Sequence, residues 1–226
     1  MDNILSFPTS TIVNKLVPKN AFYGRSNDSS LREFLTREFE GIVWLYKLAP
    51  ATLNVEDGEY VHEIDVFYCR MKEGKYNIKP FSVMDELLPR HTIFIIEYGG
   101  KFDLLMHHKE MSVVHGEQKW KCGISELKRD IRIETDILNI QGQSMDAVYN
   151  GLLSQISGLS ASTKEEYKEQ VDVRKQIESI QKQIMTLQKR IKAEKQFNRQ
   201  MELNTEVRQL RKEITLLTDK LKKNNI

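Results

Sequence analysis

The residues best suited to chemistry are aspartates that precede a Glu-x-Lys triplet. Asp103 is followed by Glu117-Gln118-Lys119, and Asp65 by Glu73-Gly74-Lys75. On adjacent strands such a set would hold Mg²⁺ through two carboxylates while the lysine steadies an attacking water, as a metal-dependent nuclease requires. Spacing favours Asp103, Glu117 and Lys119, because Glu73 and Lys75 fall in an expected turn. In a chain that is 29% charged such triplets also arise by chance, so the nuclease is an alternative reading and no catalytic residue is assigned. His107, His108 and His115 cluster in sequence. Neighbours on a strand point to opposite faces, so His107 and His108 do not converge on one metal. The chain has no CxxC pair, HExxH, Walker-type loop or GxSxG element. No metal and no cofactor is expected. Cys69 lies in an expected strand and reads as a small core residue. Trp120 stands between Lys119 and Lys121, and strand alternation turns it towards the core and both lysines away.

The elements that must position these residues can be read in order. Ser30 and Glu33 form a capping box ahead of an expected helix over 31–48, with Phe34, Leu35, Phe39, Ile42, Val43 and Tyr46 on its apolar face and Pro50 as its stop. Residues 60–72 read as a strand rich in β-branched and aromatic side chains. A short helix follows Pro80 through Val83, Leu87 and Leu88. Two apolar runs flanking Gly99-Gly100 predict a β-hairpin, since glycine takes the positive φ of a tight turn. The unbroken run Ile93–Ile96 predicts a strand covered on both faces. A further strand is expected over 118–122, and Ser144 caps a helix over 145–156. Helix, strand, helix, hairpin, strand and helix make an α+β domain over 1–158 with an antiparallel or mixed sheet flanked by helices.

The remaining 68 residues, Leu159–Ile226, contain neither glycine nor proline. Ser162 and Glu165 form a second capping box that opens this helical tail. Apolar residues recur there at heptad spacing in two blocks, Val173, Ile177, Ile180, Ile184, Leu187 and Ile191, then Leu203, Val207, Leu210, Ile214, Leu217 and Leu221. Steps of three and four are the pattern of a coiled coil. The blocks are out of phase by roughly 120° on a straight helix, yet they are mirror images about Phe197. Antiparallel pairing sets every apolar residue opposite another. The tail at 159–226 is therefore expected to be a coiled-coil hairpin about Phe197, with Phe197, Asn198 and Asn204 at its tip and Asn198 as the left-handed residue. An antiparallel homodimer of long helices satisfies the same symmetry.

Charge divides with the domains. Residues 161–226 hold 16 Lys/Arg against 10 Asp/Glu, whereas the chain as a whole has a net charge of +2. A basic tail suits nucleic acid or an acidic partner, but the plainer reading is the solvated outer face of a coiled coil rich in Lys and Glu. Two cysteines in 226 residues build no disulfide framework. The first residues, MDNILSFPTS, lack the basic and apolar regions of a secretory signal, and no apolar run approaches the roughly 20 residues of a membrane span. A cytoplasmic protein away from membranes is expected.

Several segments together resemble the prokaryotic domain-of-unknown-function 4391 family. They are Asn14–Lys19 with Phe22-Tyr23, Trp44–Pro50 with Thr52–Asn54, Glu63–Phe67, Tyr98–Lys101, Asp146–Tyr149 and, most specifically, Glu194–Asn204. Members of that family are typically encoded beside a large helicase and a DNA methyltransferase, as in restriction-like defence islands. The resemblance thus implies a non-enzymatic accessory subunit of a DNA-targeting, restriction-like antiphage complex, partnered by a helicase or methyltransferase. It implies no catalytic residue. The alternatives are the nuclease above and a nucleic-acid binder acting through the basic tail.

Overall fold

A computed structural model describes residues 4–24, 29–114, 117–133, 135–159 and 164–223 of the chain. His115 and Ser162 lie outside them, as does the side chain of Glu165. The chain divides into two compact units, Met1–Gly158 and Leu159–Ile226.

The first unit runs β1 (Ile12–Leu16), α1 (Asn20–Tyr23), α2 (Ser29–Glu38), β2 (Phe39–Leu48), α3 (Pro50–Leu53), β3 (Ile64–Met71), α4 (Lys79–Leu87), β4 (His91–Tyr98), β5 (Lys101–Val114), β6 (Glu117–Ile131) and α5 (Met145–Ser157). The six strands form one sheet whose spatial order follows the chain order. The sheet is mixed. β3 and β4 are parallel and joined through α4, and every other neighbouring pair is antiparallel.

The single helix expected over 31–48 is corrected to a helix that ends at Glu38 followed by a strand. Phe39, Ile42, Val43 and Tyr46 keep helical spacing, but β-branched and aromatic residues favour the pleated surface. Tertiary pairing decides: Val43 sits across from Leu16 on one side and Tyr68 on the other. Ser30 is consequently inside α2 and not ahead of it. β3 begins at Ile64, and the last strand runs Glu117–Ile131, far beyond the expected 118–122. The hairpin across Gly99-Gly100 forms as expected, with φ of 54° and 77° at the two glycines. Ser144 caps α5 by accepting from Ala147 N.

Strand alternation gives the sheet two apolar faces. One carries Phe67, Cys69, Phe94, Ile96 and Leu105 against Leu31, Phe34 and Leu35 of α2 and Phe81 and Met84 of α4. The other carries Val66, Ile93, Ile95 and Leu104, and α5 packs on β5 and β6. Ile93–Ile96 are all buried, so both faces of β4 are covered as expected. Asp146 ties α5 to the loop before β3. Its carboxylate accepts from Glu59 N at 2.7 Å, Tyr60 N at 3.2 Å and Val61 N at 2.8 Å.

In the second unit α6 (Lys164–Ala193) and α7 (Phe197–Lys223) pack together. Ile180, Ile184, Leu187 and Val207 form a buried cluster bordered by Ile191, Leu203, Leu210, Ile214 and Leu217. Far from the link between the helices, Lys220 Nζ meets Glu169 Oε1 at 2.7 Å, so the two helices run in opposite directions. No helix is long and apolar enough to cross a membrane among the described residues.

Candidate functional site

The ends of three strands bring a compact ionic cluster together. Lys47, next to last in β2, pairs across the ladder with Asp65, whose other neighbour is Thr92 of β4. Glu63 stands two residues before Asp65, so extended backbone sends both carboxyls to one face. Lys47 Nζ lies 2.8 Å from Glu63 Oε2, and Arg90 Nε lies 3.0 Å from Glu63 Oε1. Asp65 is 5% exposed. Its burial, then the charge of Glu63, push the carboxyl up to about 7 against the pull of Arg90 and Lys47. The two carboxyls are hydrogen-bonded to each other, so the pair shares a proton, while Glu63 Oε1 also faces Arg90 Nε. Two segments that carry the family resemblance, Trp44–Pro50 and Glu63–Phe67, meet at this point.

A second polar group lies under α4. His107 Nδ1 is 2.9 Å from Asp85 Oδ2, and His107 Nε2 is 3.0 Å from Ser82 Oγ. That connectivity matches a Ser-His-Asp triad. The surroundings do not fit hydrolysis: the side chains of His107 and Asp85 are 0% exposed, and Ser82 sits within a helix and not on a sharp strand-to-helix turn. Lys109 Nζ completes the group, donating to Asp85 Oδ1 at 3.0 Å and to the carbonyls of Asp85, Leu88 and Arg90 at 2.6–2.7 Å. Asp85, His107 and Cys122 also place ligand atoms within 4.8 Å of one another. A cation there would face the buried Lys109 ammonium, and the carboxylate it needs is already shared between Lys109 and His107. Burial raises the Cys122 thiol, which further opposes metal-binding thiolate. We read this group as a clamp that holds α4 on β5 and β6. Trp120 is half-buried beside it, 5.3 Å from His91 edge-on and 5.0 Å from Lys109 Nζ, while Lys119 and Lys121 are exposed. Burial, with Lys109 next, lowers His91 to about 4, so it is neutral at pH 7.

The expected nuclease constellation is not assembled. Asp103 lies beside Leu104, which pairs with Lys128, whereas Glu117 pairs with Val114 at the far end of the β5–β6 ladder. At about 3.3 Å per residue the two are separated by roughly 35 Å. Asp103 is instead a buried anchor that accepts from Tyr76 Oη at 2.5 Å, Tyr98 Oη at 3.1 Å and Asp130 N at 2.9 Å. Lys119 pairs with Ser112, near Glu117 and far along the ladder from Asp103. Glu73 and Lys75 follow the end of β3, whereas Asp65 is at its start. His107 and His108 diverge as alternation requires: His107 is buried, and His108 faces Glu110 at 3.9 Å. Cys69 is buried in the core, where burial raises its thiol. The Lys47–Glu63–Asp65–Arg90 cluster was missed because its members come together only through long-range register. The motif Glu63-Ile-Asp65 between apolar residues was its one legible trace.

Every heptad residue of the tail, from Val173 and Ile177 to Leu221, is buried or half-buried. The link between the helices is Glu194–Gln196, centred two residues before Phe197. It uses no left-handed residue: Asn198 is helical, and the turn is held by Glu194. Glu194 Oε1 accepts from Lys195 N at 2.8 Å and Gln196 N at 3.0 Å, bonds that hold its carboxyl below the usual range. Gln200 Nε2 donates back to Glu194 O at 2.6 Å. Asn204 is therefore not at the tip but farther along α7, its amide donating to Gln200 O. Phe197 is 71% exposed and Met201, on the same helix face, is 51% exposed.

No curated protein and no solved structure matches the chain. Over residues 5–214 the sequence, including both the ionic cluster and the helical link, matches the model of a family described as a domain of unknown function, DUF4391, and the chain belongs to that family.

Proposed function

We propose that this chain is a non-enzymatic interaction subunit of a cytoplasmic, DNA-targeting antiphage assembly, partnered by a helicase or DNA methyltransferase subunit. Met1–Gly158 is the docking domain in this reading. The tail is a coiled-coil hairpin that presents its link to the partner. The observation that carries the reading is the surface at that link. Phe197 and Met201 are exposed beside Arg190, Lys192, Lys195 and Arg199, which are all exposed as well. Exposed aromatic and sulfur-containing side chains ringed by cations are the composition of a contact surface and are costly to leave in water without a purpose. Co-expression with a neighbouring helicase tests it. The full chain should co-purify with that partner, and the Phe197→Ala/Met201→Ala double variant should recover clearly less of it while staying folded. Unchanged co-purification of the double variant overturns the assignment of this surface.

The same cations favour a second reading, direct binding of nucleic acid through the tail. Phosphate contacts by four cations would make affinity fall steeply with salt, and Phe197 would offer a stacking face to an unpaired base. Fluorescence anisotropy with a single-stranded oligonucleotide at 50 and 200 mM salt separates the two readings, because a protein-only contact surface gives no binding at either.

A further inference from the structure

The two helices of the tail bury one seam and leave two flanks, and the flanks differ in chemistry. With Ile184 and Val207 counted as heptad position a, Glu169 and Lys220 both fall at position g and meet at 2.7 Å. Arg190 and Glu206, also at g, line one groove together with Leu187. The g and neighbouring c positions of both helices therefore share one flank, and the e and b positions share the other. Between 169 and 220 the g and c flank holds more acids than cations. The e and b flank holds Arg174, Lys192, Arg208 and Arg211 against a single acid, Glu178. Lys192, Arg208 and Arg211 are exposed and have no acidic partner among the described residues.

The exposed apolar side chains follow the same division. Phe197, at e, is 71% exposed, and Met185 and Met201, both at b, are 59% and 51% exposed. Leu216, at c, is the exception among the described residues of the tail. A helix face meant for water mixes both signs of charge and carries few large apolar groups. The e and b flank is basic and apolar at once.

We propose that this flank binds an acidic amphipathic helix of a partner protein, laid along α6 and α7 as a third helix. This rests on the interaction reading above and names the segment that the partner contributes. Charge complementarity selects the occupant. Carboxylates along the incoming helix meet Lys192, Arg208 and Arg211, and its apolar stripe covers Met185, Phe197 and Met201. Methionine is an adaptable apolar residue of helix-binding surfaces and has no ring on which a base could stack, which sets a protein helix ahead of nucleic acid. From Phe197 to Arg211 the flank runs about 21 Å along α7, so a partner helix of about four turns covers it.

A synthetic peptide of about 20 residues, with leucine at heptad positions and glutamate between them, serves as the probe. Its binding to the full chain is followed by fluorescence anisotropy at 0.15 M salt, where exposed charges beyond about 8 Å are screened. The peptide should bind with a dissociation constant below about 100 µM, and a scramble of the same composition without the heptad should bind at least about tenfold more weakly. Arg208→Gln/Arg211→Gln should weaken binding about tenfold. Gln176→Glu/Gln183→Glu changes the net charge by the same amount on the g and c flank, at exposed positions, and should weaken it less than about threefold. Circular dichroism confirms that both variants stay helical. No binding of the peptide, equal binding of the scramble, or equal weakening by the two variants overturns the proposal. A single-stranded oligonucleotide that binds more tightly than the peptide and loses its affinity in Arg208→Gln/Arg211→Gln gives the flank to nucleic acid and overturns it too. The probe needs no native partner, so its failure leaves a helicase co-purification standing, and a failed co-purification leaves the flank standing.

Discussion

Replacing Asp65 by asparagine should stabilise the Met1–Gly158 unit at pH 8 and leave it nearly unchanged at pH 4. The carboxyl is raised from an ordinary 3.8 to about 7 by burial and by Glu63. A raised acid keeps its proton longer in the folded state than in the unfolded one. Its penalty is absent below the unfolded value, grows as pH rises between about 4 and 7, and is complete above the folded value. Roughly three units at about 1.4 kcal/mol each set an upper limit of about 4 kcal/mol. Partial solvent access through Lys47 and Arg90 argues for the lower part of a range of about 2–4 kcal/mol. Asparagine has the same shape and no charge to lose. Urea unfolding in EDTA from pH 4 to 8 provides the assay. Both tryptophans, Trp44 and Trp120, belong to this unit, so their fluorescence reports its unfolding separately from the tail. A stability difference that stays flat with pH, or a wild type that gains on the variant as pH rises, refutes the argument.

Lys109→Met should destabilise the same unit by about 3–5 kcal/mol by leaving Asp85 a buried, half-paired charge, measured by urea midpoint; Asp85→Leu added to it should recover part of the loss. Asp146→Ala should cost about 2 kcal/mol by removing an ionised acceptor from the amides of Glu59, Tyr60 and Val61, and hydrogen exchange at those three amides should accelerate. Gly99→Ala should cost about 1–2 kcal/mol in thermal unfolding, because φ there is 54° and the added Cβ would lie 3.2 Å from Gly74 Cα.

What could be read in the sequence follows the range of the interactions involved. The hairpin at Gly99-Gly100, the covered strand at Ile93–Ile96, the Ser144 cap and the two packed helices rest on local signals, and each is present. Residues 39–48 defeated local reading because Phe39, Ile42, Val43 and Tyr46 satisfy helical spacing while their side-chain types suit a strand. Only the ladders to β1 and β3 decide between them. β6 was underestimated for a similar reason: beyond Cys122 its apolar residues Ile124, Leu127 and Ile131 are three and four apart, which gives no period-two signal, and only the ladder to β5 makes the segment a strand. The turn near residue 195 was misread because a left-handed asparagine is the usual device, whereas Glu194 supplies the acceptor through its side chain. The cluster at Asp65 depends on a register that sets Lys47 opposite it and on Arg90 after a helical crossover. The carboxylates chosen from linear spacing, Asp103 and Glu117, ended at opposite ends of one ladder.

That the strands lie side by side in the order in which they are translated bears on how the protein acquires its structure. Each new strand finds its partner already in place, so ordering can proceed from the N-terminus as the chain leaves the ribosome. The step from β3 to β4 differs. A parallel pair cannot close through a tight turn and must wait for the intervening α4 to form and pack. Nascent chains stalled before residue 91 should therefore expose the apolar edge of β3, and that interval is when a chaperone would have most to protect.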